Sequence, residues 1–289
     1  MNISLIGSGE VGGCYAAALA AAGHRIVVLC DVRPTDKIAA LAQRLGARVE
    51  TGVGPWLAES DVIIGAVYGY VALDVARLAL PLMKPGAVFA DFSTASPAHM
   101  AEAAGIAATL GLGFVDVAIM GAISLSGGAT PLLCAGAGAE AIATLMASGG
   151  APARIGGSQA GDAAELKLLR SIFTKGMEAL SVECLVAAEK KGLRAELYEV
   201  LGDVDRDSLS GFMERCVVTH VIHAKRRLVE VQEAKRQLRR DHLAPLVLDG
   251  VEALFQRTAD ALTAHPPVPA PDGVAASLAW LAKQAAMPH

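Results

Sequence analysis

Gly7-Ser-Gly9-Glu-Val-Gly12 follows the apolar run Ile3–Ile6 and opens a helical stretch expected over Val11–Ala22. A glycine turn of this spacing between a strand and a helix binds diphosphates. Gly7 permits the tight turn, Gly9 lets backbone approach the anion, and Gly12 lets the helix pack on its strand, while the helix start offers unpaired N–H donors. Gly7, Gly9, Glu10, Val11 and Gly12 are therefore expected around the phosphates of a dinucleotide. Asp31 ends the next expected strand, about 20 residues beyond the loop, where a carboxylate accepts from the adenosine ribose hydroxyls. That acid favours NAD. Val32 and Arg33 complete the segment, and Arg33 is suited to stack on adenine or meet a 2′-phosphate, which keeps NADP open. The competing reading is a glycine-rich turn in a nucleotide-free α/β domain; strand, loop, helix and acid together weigh against it.

Further apolar runs alternate with alanine-rich stretches through the first half of the chain. Strands are expected near Ile3–Ile6, Arg25–Cys30, Asp61–Ala66, Ala87–Asp91, Gly113–Asp116, Leu132–Ala135 and Ala153–Ile155. Helices are expected at Val11–Ala22, Asp36–Leu45, Ala72–Pro81, Pro97–Thr109 and Glu140–Ala147, with Gly23, Gly46 and Gly111 as stops. This is the pattern of βαβ units feeding a parallel sheet, an α/β Rossmann domain over residues 1–160. From about Asp162 strand-like alternation ends and charges recur at helical spacing. Residues 161–289 are expected to form an all-α domain, with helices at Asp162–Lys191, Arg194–Leu201, Ser208–Arg239, Pro245–Thr263 and Gly273–Ala286. The stretch His265–Pro271 reads as a stiff extended connector.

At roughly 150 residues per domain, a chain of this length holds about two. Its 289 residues are 53% hydrophobic and 19% charged, with a formal net charge of −4, which argues against disorder and against a nucleic-acid partner. The run Val117–Ala139 has no charge, but Gly121, Ser124, Gly127, Gly128 and Pro131 interrupt it. A strand, a loop and another strand are expected there, not a membrane span. Five cysteines without a C-x-x-C pair, and no basic leader before the first strand, suggest a reduced, cytoplasmic setting.

Two further motifs complete the pattern. Asp91-Phe-Ser93-Thr94-Ala-Ser-Pro97 starts at the end of the expected strand Ala87–Asp91, and Gly161-Asp-Ala-Ala-Glu-Leu-Lys167 opens the long helix. Ser96, directly before a proline at the first helical position, is the natural N-cap, which leaves Ser93 and Thr94 for ligand contact. With these motifs in order, residues 1 to about 190 resemble the β-hydroxyacid dehydrogenase superfamily, which includes 3-hydroxyisobutyrate and 6-phosphogluconate dehydrogenases. A subgroup labelled 6-phosphogluconate-dehydrogenase-like, with a helical C-terminal domain of unsettled role, is the better match.

The resemblance implies NAD(P)-dependent hydride transfer at the alcohol or carbonyl of a small hydroxy acid or related substrate. It implies Lys167 as the catalytic acid/base, Ser93 and Thr94 between nicotinamide and substrate, and Val67 and Tyr68 along the cofactor cleft. It also implies a homodimer built through the helical domain. Family members usually grip the substrate carboxylate with Ser-Gly-Gly; here Met120-Gly121-Ala122 aligns, and Ser171 stands where Asn is frequent. That departure keeps an imine reductase on the same fold as an alternative, and a non-catalytic NAD(P)-sensing protein as a third reading.

Lys175, about two turns beyond Lys167, reads either as a contact for a substrate anion or as a surface lysine. No metal set is expected: His220 and His223 share a helix face with Arg227, but no further ligand completes a site. Together with Lys235-Arg236 and Arg239-Arg240 they read first as a charged outer face.

Overall fold

The structure, a computed structural model, describes residues 1–285. The chain divides into two compact units, Met1–Ile172 and a second that begins at Phe173. Strands β1 (Asn2–Ile6), β2 (Arg25–Cys30), β3 (Arg48–Glu50), β4 (Val62–Gly65), β5 (Val88–Asp91), β6 (Gly113–Ile119), β7 (Leu132–Ala137) and β8 (Ala153–Gly157) form one sheet in the first unit. Their order is β3-β2-β1-β4-β5-β6-β7-β8. Helices α1 (Glu10–Ala21), α2 (Asp36–Leu45), α3 (Gly69–Ala79), α4 (Pro97–Thr109), α5 (Ile123–Ser126) and α6 (Ala139–Ser148) lie between the strands in sequence. The long helix α7 (Asp162–Lys191) starts in the first unit and is followed by α8 (Arg194–Val200), α9 (Leu209–Arg240), α10 (Leu246–Ala264) and α11 (Gly273–Ala285). The sheet is mainly parallel and of Rossmann type, and the region after it is helical, as the sequence patterns indicated. The last expected helix ends at Ala286, which lies outside the described residues.

The central strands are short runs of Val, Ile and Leu because both faces of the sheet are covered. Ile3, Leu5, Ile64 and Val115 belong to a core with Tyr15 and Leu19 of α1 and Ile142 of α6. Ile6, Val28, Ile63 and Phe89 belong to the opposite core with Ala76 of α3 and Met100 of α4. Ser4 is buried within β1, and its hydroxyl is paired with that of Ser60 at 2.8 Å, so the polar group is not stranded.

Three local differences have physical causes. β3 was not anticipated, because a short edge strand pairing on one side only, through Arg48, Val49 and Glu50, needs no apolar run. β6 and β7 pair antiparallel in an otherwise parallel sheet. The intervening segment 120–131 holds only the short α5 and a 3₁₀ turn. A parallel return usually carries a full helix across the sheet, and this segment supplies none. The expected helix Ala72–Pro81 runs instead over Gly69–Ala79, and the prolyl segment Leu80–Leu82 closes as a 3₁₀ turn.

In the second unit α9 packs on α10 and α11. Glu183 of α7 accepts from the backbone N–H groups of Val247 and Leu248 at 2.8 and 3.1 Å, satisfying the start of α10. The outer-face reading of two residues on α9 is corrected here. Lys235 is 8% exposed and ion-paired with Asp249 at 2.6 Å and with Glu252, and His220 turns toward α10. The imidazole Nε2 of His220 lies 2.9 Å from the Thr258 hydroxyl, and its ring sits edge-on to Phe255. Burial, with Arg227 and Arg257 nearby, lowers its proton affinity and favours the neutral ring.

Candidate functional site

The C-terminal ends of β1, β2, β4, β5 and β6 converge on one rim of the sheet, with the order reversing between β1 and β4, where open α/β sheets bind their ligands. Gly7 adopts φ +88°, and a Cβ there would lie 2.3 Å from the Ala66 carbonyl oxygen at the end of β4. A Cβ on Gly12 would fall 2.0 Å from the oxygen of Gly7. Only glycine fits at either position. Gly9 differs: it is the N-cap of α1 at φ −68°, its Cβ direction meets no atom within 4 Å, and no side chain caps the helix start. The free amides of the first turn therefore face space that a diphosphate would need, and the loop fits a dinucleotide.

Asp31 is half-buried beyond β2, and its carboxylate joins this loop to the next turn. Its two oxygens accept from the amides of Ser8 at 3.2 Å and Arg33 at 3.0 Å. Each oxygen keeps a further lone pair for a ribose hydroxyl. Ser8 is drawn in through its hydroxyl to the Cys30 carbonyl, and Gly7 N–H donates to the same carbonyl at 2.8 Å. Glu10, Val32 and Arg33 are exposed around this loop and Val11 is half-exposed. Val67 touches the position a Gly7 Cβ would take, and Tyr68, 74% exposed, lies parallel to the ring of Tyr70 at 5.6 Å between centroids.

At the end of β5, Asp91 is buried, and its Oδ1 accepts from both the amide and the hydroxyl of Ser93, at 2.7 and 2.5 Å. This Asx-type turn sets the direction of the next residue. Thr94 follows at φ +58°, an unusual conformation for a β-branched side chain, and its hydroxyl accepts from the ammonium of Lys167 at 2.8 Å. Backbone strain of this kind costs on the order of 1–3 kcal/mol and concentrates where a side chain must point one way. Ser96 caps α4 through the amide of His99, with Pro97 at the first helical position. Ser96 thus serves the helix, and Thr94 meets the lysine.

Lys167 is half-buried on the second turn of α7. Its proton affinity is lowered, first by burial and secondarily by Arg170, with the carboxylate of Asp116 acting against both. Asp116, on β6, is fully buried; its Oδ2 accepts from the amides of Gly161 at 3.1 Å and Ala164 at 2.8 Å. Burial raises the Asp91 carboxyl to about 6 despite the two bonds from Ser93, and the charge of Asp116 adds to the rise. Neither acid was singled out as a site residue from sequence. The available signal was a lone acid inside an apolar strand run, Phe114-Val-Asp116-Val, because a buried charge needs a reason.

The remaining expected residues separate. Met120 packs against Ala118, Leu133, Ala135 and Ala163, while its amide donates to Pro131. Gly121 and Ala122 are exposed in the following loop. Ser171 is half-exposed one turn beyond Lys167. Lys175 is exposed and bonded to Glu178 at 2.7 Å, the surface arrangement of the two considered.

Comparison with known proteins gives two family matches: the NAD binding domain of 6-phosphogluconate dehydrogenase over residues 2–153, and a domain of unknown function, DUF1932, over residues 188–258. An uncharacterized 28.5 kDa protein of Methanothermus fervidus is 28% identical over 263 residues, covering 89% of this chain and 98% of the relative. The structure of the conserved protein MTH1747, of unknown function and noted for similarity with 3-hydroxyacid dehydrogenases, matches with a TM-score of 0.61. It is 28% identical over 91% of this chain and 98% of its own. An imine reductase variant from Myxococcus stipitatus in complex with NAD+ shares the fold at a TM-score of 0.76 and 18% identity, over 97% of this chain and 99% of its own.

Proposed function

This chain belongs to the family of the NAD binding domain of 6-phosphogluconate dehydrogenase, within the β-hydroxyacid dehydrogenase superfamily, and from that premise we propose that it is an NAD(P)-dependent dehydrogenase or reductase acting at CH–OH. Its substrate would be a small hydroxy acid or a related alcohol. The observation that carries the reading is the 2.8 Å bond from Lys167 to Thr94, set at the end of β5 beside the Asp91–Ser93 turn.

In this reading Gly7, Gly9 and Gly12 with the amides of Glu10 and Val11 hold the diphosphate, Asp31, Val32 and Arg33 flank the adenosine, and Val67, Tyr68 and Thr94 line the nicotinamide half. The bound cofactor accepts or supplies hydride. Lys167, neutral, takes the proton of the substrate hydroxyl as a general base, and in the reverse direction its ammonium returns it. Half-burial suits both roles, because a lowered proton affinity brings the amine nearer working pH. Ser93 already donates to Asp91, so its oxygen is left as an acceptor for another donor group of the substrate. Met120, Gly121, Ala122 and Ser171 bound the substrate.

The test is NAD(P)H formation from a panel of 2- and 3-hydroxy acids, sugar acids and arylated hydroxy acids, with each coenzyme. Lys167→Met should lower turnover by about 10²–10⁴-fold, the usual weight of a positioned acid/base, while coenzyme binding persists. Full activity in Lys167→Met would refute the assigned role. Imine reduction is the second reading, favoured by the absence of a hydroxyl across Met120-Gly121-Ala122; turnover of cyclic imines without any hydroxy acid would select it.

A homodimer is part of the same proposal. Ile172 is 72% exposed and Val182 61% along α7, and apolar side chains spaced along one long helix call for a partner helix.

A further inference from the structure

We propose that Asp116 is a positioning residue for Lys167, clamping the first turn of α7 to β6 and supplying a buried counter-charge for its ammonium. This rests on the reading of Lys167 as the proton-transfer group. The strand that carries Asp116 is otherwise apolar, and burying a carboxylate there is costly unless its charge is used.

The geometry shows where that charge is used. One oxygen, Oδ2, gathers the amides of Gly161 and Ala164 at the start of α7, where the helix end favours an anion. The other, Oδ1, is fully buried without a hydrogen-bond partner among the described residues, and the amide of Ala163 adds to the hold on the carboxylate. A side chain needed only as a cap would satisfy the amides with one oxygen, and serine or asparagine would do so without a buried charge. The clamp is also tight. Gly161 adopts φ +107°, and a Cβ there would lie 2.8 Å from the carbonyl oxygen of Pro97, the first residue of α4. The same junction thus ties together β6, the start of α7 with Lys167, and the start of α4 just past Thr94. A shift of the α7 turn against β6 would move the Lys167 ammonium off the Thr94 hydroxyl.

The charged and titratable groups around Asp116 come from three elements: Asp91 on β5, Cys134 on β7, and Asp162 and Lys167 on α7. Lys167 is the cation among them. Its amine also senses Arg170, which disfavours the charged form, whereas Asp116 favours it. Removing the Asp116 charge therefore lowers the proton affinity of Lys167.

The test reads the lysine directly, without turnover. In Asp116→Asn an amide oxygen still accepts from Gly161 and Ala164, but the charge is gone. The pH dependence of Lys167 acylation by acetic anhydride, followed by mass spectrometry on the whole protein, gives the amine's titration midpoint. We expect the midpoint to fall by about half a unit or more in Asp116→Asn, the direction set by the loss of a nearby opposite charge. An unchanged midpoint in a folded variant overturns the proposal. If Asp116→Asn does not fold, wild-type NMR decides: the amides of Gly161 and Ala164 and the ¹³C-methylated Lys167 amine should share an inflection as Asp116 titrates. Separate inflections overturn it equally. A shifted midpoint in a protein that turns over no hydroxy acid or imine would refute the catalytic reading and leave the Asp116–Lys167 coupling standing.

Discussion

Replacing Asp91 by asparagine should remove a pH dependence of stability whose direction is opposite to that of ordinary acid denaturation. Asparagine keeps an acceptor for the amide and hydroxyl of Ser93 and removes the buried charge. In the folded chain the Asp91 carboxyl is raised from 3.8 to about 6, first by burial. A carboxyl raised on folding holds its proton better in the native state, so its contribution is fully present below the unfolded value and is lost as pH rises through about 6. At 1.36 kcal/mol per unit the whole loss is about 3 kcal/mol, of which about 1 kcal/mol falls between about pH 5 and about pH 8. Urea denaturation at both pH values, followed through the buried Trp56 of the first unit, measures it. The stability of Asp91→Asn relative to wild type should improve by about 1 kcal/mol from the lower pH to the higher. Taking the difference cancels the carboxylates shifted the other way, such as Asp61, which Lys84 holds low. A constant difference across that range would refute the buried, proton-retaining Asp91 and with it the account of the Ser93 turn.

Other expectations follow from the same geometry. Gly9→Ala places its methyl in open space at a permitted φ, so the melting temperature of the free protein should hold while NAD(P)H affinity, read by fluorescence titration, drops at least about tenfold for the loss of close backbone approach. Gly12→Ala instead collides with Gly7 and should destabilise the free protein by several kcal/mol, on the order of 4, by urea denaturation. Asp31→Asn should lower kcat/KM with NAD by about tenfold and narrow its margin over NADP; a preference for NADP in the wild type would overturn the assigned role of this acid. Val182→Glu on α7 should convert a dimer to a monomer in light scattering, and a monomeric wild type would remove the dimer from the proposal.

Much of the fold was legible because its signals are local. The strand, turn and helix around Gly7–Gly12 follow from glycine's backbone freedom and from hydrophobic runs, and Ser96-Pro97 announces the start of α4 through capping chemistry that needs no distant partner. The Rossmann character of the sheet and the change to helices after it could be read the same way. The reversed strand β7 could not, since strand direction depends on how the short 120–131 segment can return. Likewise His220 and Lys235 carry polar identities that periodicity assigns to solvent, and only the approach of α10, with Thr258, Asp249 and Glu252, turns them inward.

For the candidate site, the sequence by itself determined which chemistry is available: glycines for an anion, an acid for a ribose, hydroxyls at 93 and 94, and a lysine early in a long helix. Tertiary structure decided which of these meet. Lys167 and Thr94 are far apart in the chain and come within 2.8 Å because β5 and α7 are held at one rim. The roles of Asp91 and Asp116 in holding them depend on burial and on which groups each carboxylate reaches. An acid inside an apolar run hints at burial, but the bonds from Asp116 to the start of α7 are set by elements distant in sequence and are not written in the local pattern.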